Sequence, residues 1–256
     1  MNFNEYKKTT GINASFLKAC SFGAYAGYKY LHMPDFQSDA MAFGSAVHAA
    51  ILEPEVFAKH FAVSDKFDKR TKAGKEASAA FEAEHAGKTI IDTDDYQKIL
   101  KIKTNCYAIG AVKDALDSFE KEKNFLWKDG ELDFKARLDL VDVKNGVVID
   151  LKTTRDATER GFLRQCLDLR YDIQLLHYMK AVGASAAYAI AVETESCEVA
   201  LYDLTEIAVS DFAKKRYENA LKTAIEVLSL RECPSKFKNE IVTLSLPKWA
   251  LEMENT

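Results

Sequence analysis

The alternation of apolar and polar positions is sharpest between residues 137 and 154. Leu138, Leu140, Ile149 and Leu151 interleave with Asp139, Val141, Asp150 and Lys152 on either side of Asn145-Gly146. Asn-Gly between two alternating runs predicts a β-hairpin with a two-residue turn. In that register Lys144 pairs with Val147, Val141 lies opposite Asp150, and Asp139 lies opposite Lys152. Side chains alternate faces along a strand, so Asp139, Val141, Asp150 and Lys152 share one face. Leu138, Leu140, Ile149 and Leu151 share the other, an apolar face that reads as the core side. Asp139 and Asp150 become diagonal neighbours with backbones about 7–8 Å apart.

Elsewhere a helical period dominates. Residues 10–32 read as helix, with Phe16, Leu17 and Cys20 at helical spacing, Asn13 or Ser15 as cap, and a break at Met33-Pro34-Asp35. Residues 38–53 form a second helix, rich in small residues (Gly44, Ser45, Ala46, Ala49, Ala50) and ended by Pro54. Residues 55–75 read as irregular and basic, followed by helices over 75–86 and 93–119. A strand over 124–128, a second hairpin turn at Asp129-Gly130, and strands over 131–144 and 147–153 make a meander. A helix over 157–182 with a break around 168–172, strands over 186–193 and 197–204, and a helix over 209–230 capped by Ser210 complete the order. This predicts an α/β fold in one domain spanning 1–256: residues 1–120 mainly helical, residues 121–256 the sheet-bearing core.

Composition narrows the class. The chain has 256 residues, 48% of them hydrophobic, enough for one large core. No apolar run approaches the ~20 residues that span a bilayer, and the N-terminus lacks the apolar centre of a signal peptide. A cytoplasmic protein without membrane contact is expected. Five scattered cysteines without a C-x-x-C pair argue against a disulfide framework or structural zinc. The net charge of −4 disfavours nucleic-acid binding by the surface as a whole, but local patches still steer. The stretch 64–75 gathers Lys66, Lys69, Arg70, Lys72 and Lys75 around a glycine, a candidate phosphate contact.

Two carboxylates beside a lysine suit metal-assisted hydrolysis. Breaking a phosphodiester at neutral pH needs a positioned water, charge stabilisation and help for the leaving oxygen. Mg²⁺ prefers one or two carboxylates plus waters and substrate phosphates, which Asp139 and Asp150 can provide. The Leu151 carbonyl is a natural extra ligand. Lys152 can hold the attacking water or neutralise developing charge. An exposed strand face with ordinary charges is the plain alternative.

Asp139 followed by Asp150-Leu151-Lys152 resembles the PD-(D/E)xK nuclease signature, with Leu138 where the family name has proline. More of the chain resembles its RecE-type exodeoxyribonuclease VIII branch. Gly44-Ser45-Ala46-Val47-His48 is similar to a Gly-x-Ala-x-His helix, and 70–75 to a basic loop. Arg170 to Gln174 with Tyr178 is similar to a Gln-x-x-x-Tyr helix, and Leu246-Pro247-Lys248-Trp249 to the usual ending. The resemblance implies a nuclease core with a central mixed sheet flanked by helices and an N-terminal helical elaboration. It implies a Mg²⁺-dependent exonuclease, Mn²⁺ being an alternative, with one or two ions per subunit. Such an enzyme digests linear double-stranded DNA from 5′ to 3′ and leaves 3′ overhangs. Double-stranded DNA ends, a single-strand annealing protein and a ring-shaped homo-oligomer (trimer or tetramer) are the implied partners. It makes His48 a metal ligand beside Asp139, Asp150 and Leu151, and places Gln174 and Tyr178 in the cleft with Lys152. Ser15 and Lys18 match a short Ser-x-Leu-Lys pattern and are expected at a 5′-phosphate. The following segment, Cys20 to Tyr25, departs from the family's Ser-Pro. Lys69, Arg70, Lys72, Lys75, Thr153 and Arg170 are expected at DNA phosphates. A structure-specific endonuclease on the same fold and a non-catalytic DNA-binding protein stand as alternatives.

Overall fold

The computed structural model describes residues 3–33, 38–68, 70–237, 241, 243 and 245. The 246–249 ending and Lys69 lie outside the described residues. In chain order the elements are α1 (Phe3–Lys8), α2 (Ala14–Cys20), α3 (Ala24–His32), α4 (Asp39–Leu52), α5 (Pro54–His60), β1 (Phe61–Ser64), α6 (Lys72–Glu84), β2 (Thr89–Asp92), α7 (Thr93–Ala108), α8 (Gly110–Ser118), β3 (Glu120–Asp129), β4 (Leu132–Asp142), β5 (Val147–Thr154), α9 (Glu159–Asp168), α10 (Tyr171–Val182), β6 (Ala186–Glu193), β7 (Val199–Asp203), α11 (Thr205–Val209) and α12 (Asp211–Ser229).

Several helices begin where polar caps stand. The Asn13, Ser38 and Ser210 side chains accept from the backbone N–H groups of Phe16, Met41 and Ala213. The expected helix over 10–32 is two helices, divided at Gly23, whose φ of 111° a side chain would resist. The 93–119 helix likewise splits, at Ile109. The stretch expected to be irregular holds α5 and β1, and β1 pairs in parallel with β2. Elements this short carry too few periods to read.

The main sheet has the order β3-β4-β5-β6-β7. Its one parallel pair is β5·β6, which makes it mixed. α9 and α10 form the crossover between these parallel strands. Helices cover both faces. Leu140, Ile149 and Leu151 pack with α4, α7 and α8 on one side. Val141, Val148 and three small residues of β6 (Ala187, Ala189, Ala191) pack with α9 and α10 on the other. Those alanines let α10 lie close to the sheet. A further cluster joins α2, α10 and α12 through Leu17, Ile173, Tyr217 and Ala224.

Two details of the hairpin differ from the expected register. Asp142, not Lys144, pairs with Val147, and Leu140 stands opposite Ile149. The turn is longer because Asp142 accepts from the Asn145 backbone (3.0 Å) and side chain (2.6 Å) and closes the loop itself. The ladder between these strands runs no further than Leu140–Ile149, and beyond it Asp139 meets β5 through its side chain, which accepts from the Leu151 N–H. A slip of two residues would by itself leave each side chain on its face, but β4 also changes phase. The expected common face of the four apolar residues does not hold, since Leu138 joins the α9–α10 side while Leu140 faces α4. The alternation changes phase at Asp139. Across from it on β3, Glu122 adopts a left-handed backbone with φ 49°.

Candidate active site

Both aspartates are buried, Asp139 at 8% and Asp150 at 2% exposure, which removes the plain reading of an exposed charged face. Asp139 Oδ2 accepts from the Leu151 N–H at 2.7 Å. An extended residue directs its N–H and C=O to the same side, so the Leu151 carbonyl faces the same region. α4 lies against this point of the sheet. A side chain at Gly44 would meet the Thr153 hydroxyl at 3.1 Å, and this close approach lets the helix deliver His48. His48 Nδ1 comes to 3.6 Å from Asp139 Oδ2.

Glu122, which sequence reasoning missed, is the third donor. Ligand atoms of His48, Glu122 and Asp139 lie within 4.8 Å of one another. Glu122 is held by Arg137, whose guanidinium also bonds Glu53 at 3.0 Å. Burial and the neighbouring Asp139 charge push the Glu122 carboxyl up to about 8 against the pull of Arg137. Burial likewise raises Asp139, against the pull of His48. An imidazole beside two carboxylates that burial raises is a donor set suited to a divalent cation.

Asp150 stands at the edge of this group, with both oxygens engaged. Oδ2 pairs with Lys152, and Oδ1 accepts from Gln174 Nε2 at 3.0 Å. Burial opposes the Lys152 charge, but Asp150 and Asp139 outweigh it and hold the ammonium protonated. Gln174 also donates to the Tyr178 hydroxyl at 3.0 Å and accepts from Lys18 Nζ at 2.9 Å. The expected i, i+4 pair on α10 thus meets the site, and Lys18 meets it from α2. Burial, then the like charge of Lys152, lower Lys18 to about 8. Lys18 and Lys152 both lie over the ring of Tyr171, a second residue the sequence reading missed. A cavity of about 850 Å³, lined by Ser15, Asn13, Tyr6, Arg137 and Tyr178, borders the cluster.

Other expected residues stand apart. Arg70 is exposed and pairs with Asp68; Lys72 pairs with Glu76 across its own helix turn; Lys75 is exposed. None of the three contacts the acidic cluster among the described residues. Arg170 donates to the Leu167 carbonyl at 2.6 Å and stacks on Phe22. His177, given no role by its sequence, is a core residue between the Tyr217 hydroxyl and the Lys135 carbonyl.

The mixed sheet with its acid–acid–lysine centre at β4 and β5 is the PD-(D/E)xK nuclease fold. The chain belongs to the family described as PDDEXK-like domain of unknown function (DUF3799), whose model matches residues 10–240. No curated protein matches it. A candidate exonuclease from Eubacterium rectale has a similar solved structure, with TM-score 0.58 and 13% identity over 98% of this chain and 97% of that one. A phage related exonuclease from Haemophilus somnus 129PT aligns at 13% identity over 89% of this chain and 99% of that one. Its TM-score of 0.36 is too low to bear on the fold.

Proposed function

We propose that this protein is a divalent-metal-dependent exonuclease that digests linear double-stranded DNA from 5′ to 3′ and leaves 3′ single strands for annealing. One observation supports the hydrolytic reading above all: His48, Glu122 and Asp139 converge beside an Asp150–Lys152 ion pair. The direction of digestion rests on the motif resemblance to RecE-type enzymes. His48, Glu122 and Asp139 would hold the cation, with Asp150 and the Leu151 carbonyl as further donors. Bound there, Mg²⁺ or Mn²⁺ supplies charge for the phosphoryl oxygens and acidifies a water.

The chain's own groups do the remaining work. Lys152 carries a fixed positive charge in a dry pocket, where it counts for more than in water. It steadies the attacking water or the anionic phosphate. Gln174 fixes Asp150 through one amide hydrogen and so sets the direction of its carboxylate. Lys18 places a second ammonium on the same Gln174 and binds the phosphate. Arg137 neutralises Glu122 and keeps two neighbouring carboxylates compatible with one site.

The test uses end-labelled linear duplex and a closed circular plasmid, each with and without Mg²⁺. Release of nucleotides from the 5′ end of the linear substrate alone, and only with metal, is expected. Nicking or cutting of the closed circle would favour an endonuclease. No metal-dependent hydrolysis of either would overturn the reading.

A further inference from the structure

Beyond the Lys152–Asp150 pair, several cations lie over aromatic rings. Lys18 and Lys152 lie 5.2 and 5.1 Å from the Tyr171 ring centroid. The preceding residue, Arg170, sets its guanidinium 4.4 Å from the centroid of Phe22. Phe22 is 60% exposed. It shares a cavity of about 570 Å³ with Tyr25, Lys29 and Lys236. Lys29 lies 5.5 Å over Tyr25, and Lys236 lies 5.2 Å over the neighbouring Phe237, which is 74% exposed. Among the described residues Lys29, Arg170 and Lys236 make no ion pair with an acidic side chain. Arg170 also holds a left-handed backbone, φ 62°, which a non-glycine residue resists. Strain of this kind concentrates at functional positions.

Accessible rings beside cations that make no acidic ion pair fit one form of nucleic acid better than another. A duplex stacks its bases on each other and offers rings nothing but its edge. A single strand offers free base faces to rings and phosphates to cations. We infer that Phe22, Tyr25, Lys29, Arg170 and Lys236 form a track for single-stranded DNA. Arg170 is joined in the chain to Tyr171, whose ring lies under Lys18 and Lys152, so in this proposal the track carries the strand whose phosphodiester lies at the Asp150–Lys152 pair. Binding along it is independent of catalysis, although the strand's fate rests on the nuclease reading.

The experiment measures fluorescence anisotropy of labelled oligo-dT and of a blunt duplex of equal length, in EDTA so that nothing is cut. Phe22→Ala is expected to weaken oligo-dT binding about tenfold, the scale of one lost stacking contact, with little change on the duplex. Phe22 is exposed, so the fold survives, and a matching melting curve checks this. Combining Lys29→Ala with Lys236→Ala should lower the slope of log affinity against log salt by about 0.7 per lost charge on the single strand. Wild-type oligo-dT affinity in Phe22→Ala, or equal loss on both DNAs, would overturn the track. A wild-type protein that cuts DNA while Phe22→Ala binds normally refutes the track and keeps the nuclease. One that binds oligo-dT through Phe22 but cuts nothing with Mg²⁺ or Mn²⁺ does the reverse.

Discussion

Lys152 is placed where its charge matters most, buried against two carboxylates. Lys152→Ala should lower kcat by about 10²–10⁴-fold, the range for a lost proton-handling or charge-stabilising group, with the melting temperature still showing a folded protein. Wild-type turnover in that variant would remove the role proposed for it. Lys18 carries a pH prediction. Its pKa is lowered to about 8 by burial and Lys152, so its charge is present below that pH and lost above it. If it grips the substrate phosphate, kcat/KM falls as pH rises through about 8, because this ratio reports the free enzyme. Lys18→Met should lack that limb. Glu122 works in the opposite sense. A carboxyl raised from 4.5 to about 8 binds more protons folded than unfolded between those values, so the metal-free protein loses stability as pH climbs through that window. Mn²⁺ should restore it, most strongly at the upper end, as thermal melts across pH would show, and Glu122→Gln should weaken that response. Asp139, Asp150 and Lys152 were legible from a two-residue period. Glu122 was not, because 120–123 reads Glu-Lys-Glu-Lys, the pattern of a solvated charge run.

At the scale of elements, the site depends on how closely α4 and α10 approach the sheet. Gly44 faces the Thr153 hydroxyl at 3.1 Å from where a Cβ would sit, so alanine forces a shift of a few tenths of an ångström. Helix propensity gives alanine about 0.5–1 kcal/mol over glycine, and the two effects nearly cancel. Gly44→Val adds bulk that must push α4 outward and carry His48 with it. Calorimetric titration should then show Mn²⁺ affinity reduced at least tenfold, while Gly44→Ala stays near wild type. Equal affinity in both would mean that this contact does not place His48. The hairpin shows how much an element's pattern can tell. Alternation placed Asp150 and Lys152 together on β5, where they pair, but the phase change at Asp139 split Leu138 from Leu140. The exact pairing depended on Asp142 closing its own loop, a side-chain contact that Asn145-Gly146 alone does not reveal.

Across the whole molecule, a net charge of −4 means that DNA is not drawn to the surface at large. The proposed binding is confined to local cations, and 5′-directed digestion of linear duplex should be strongly suppressed by salt. Sedimentation is expected to give a trimer or tetramer if the ring implied by the RecE-type resemblance forms; a monomer at working concentration would remove it. Among the described residues no helix is long and apolar enough to cross a membrane. The sequence by itself determined the α/β order, the capped helices, and the aspartates and lysine of β4 and β5, because period, caps and turn residues act over a few neighbours. Tertiary structure decided what those neighbours could not. It brought Glu122 across from Asp139, set Lys18 and Tyr171 against Lys152, and left 70–75 away from the acidic cluster. Such contacts join residues far apart in the chain, and packing of both sheet faces, not local pattern, determines which of them meet.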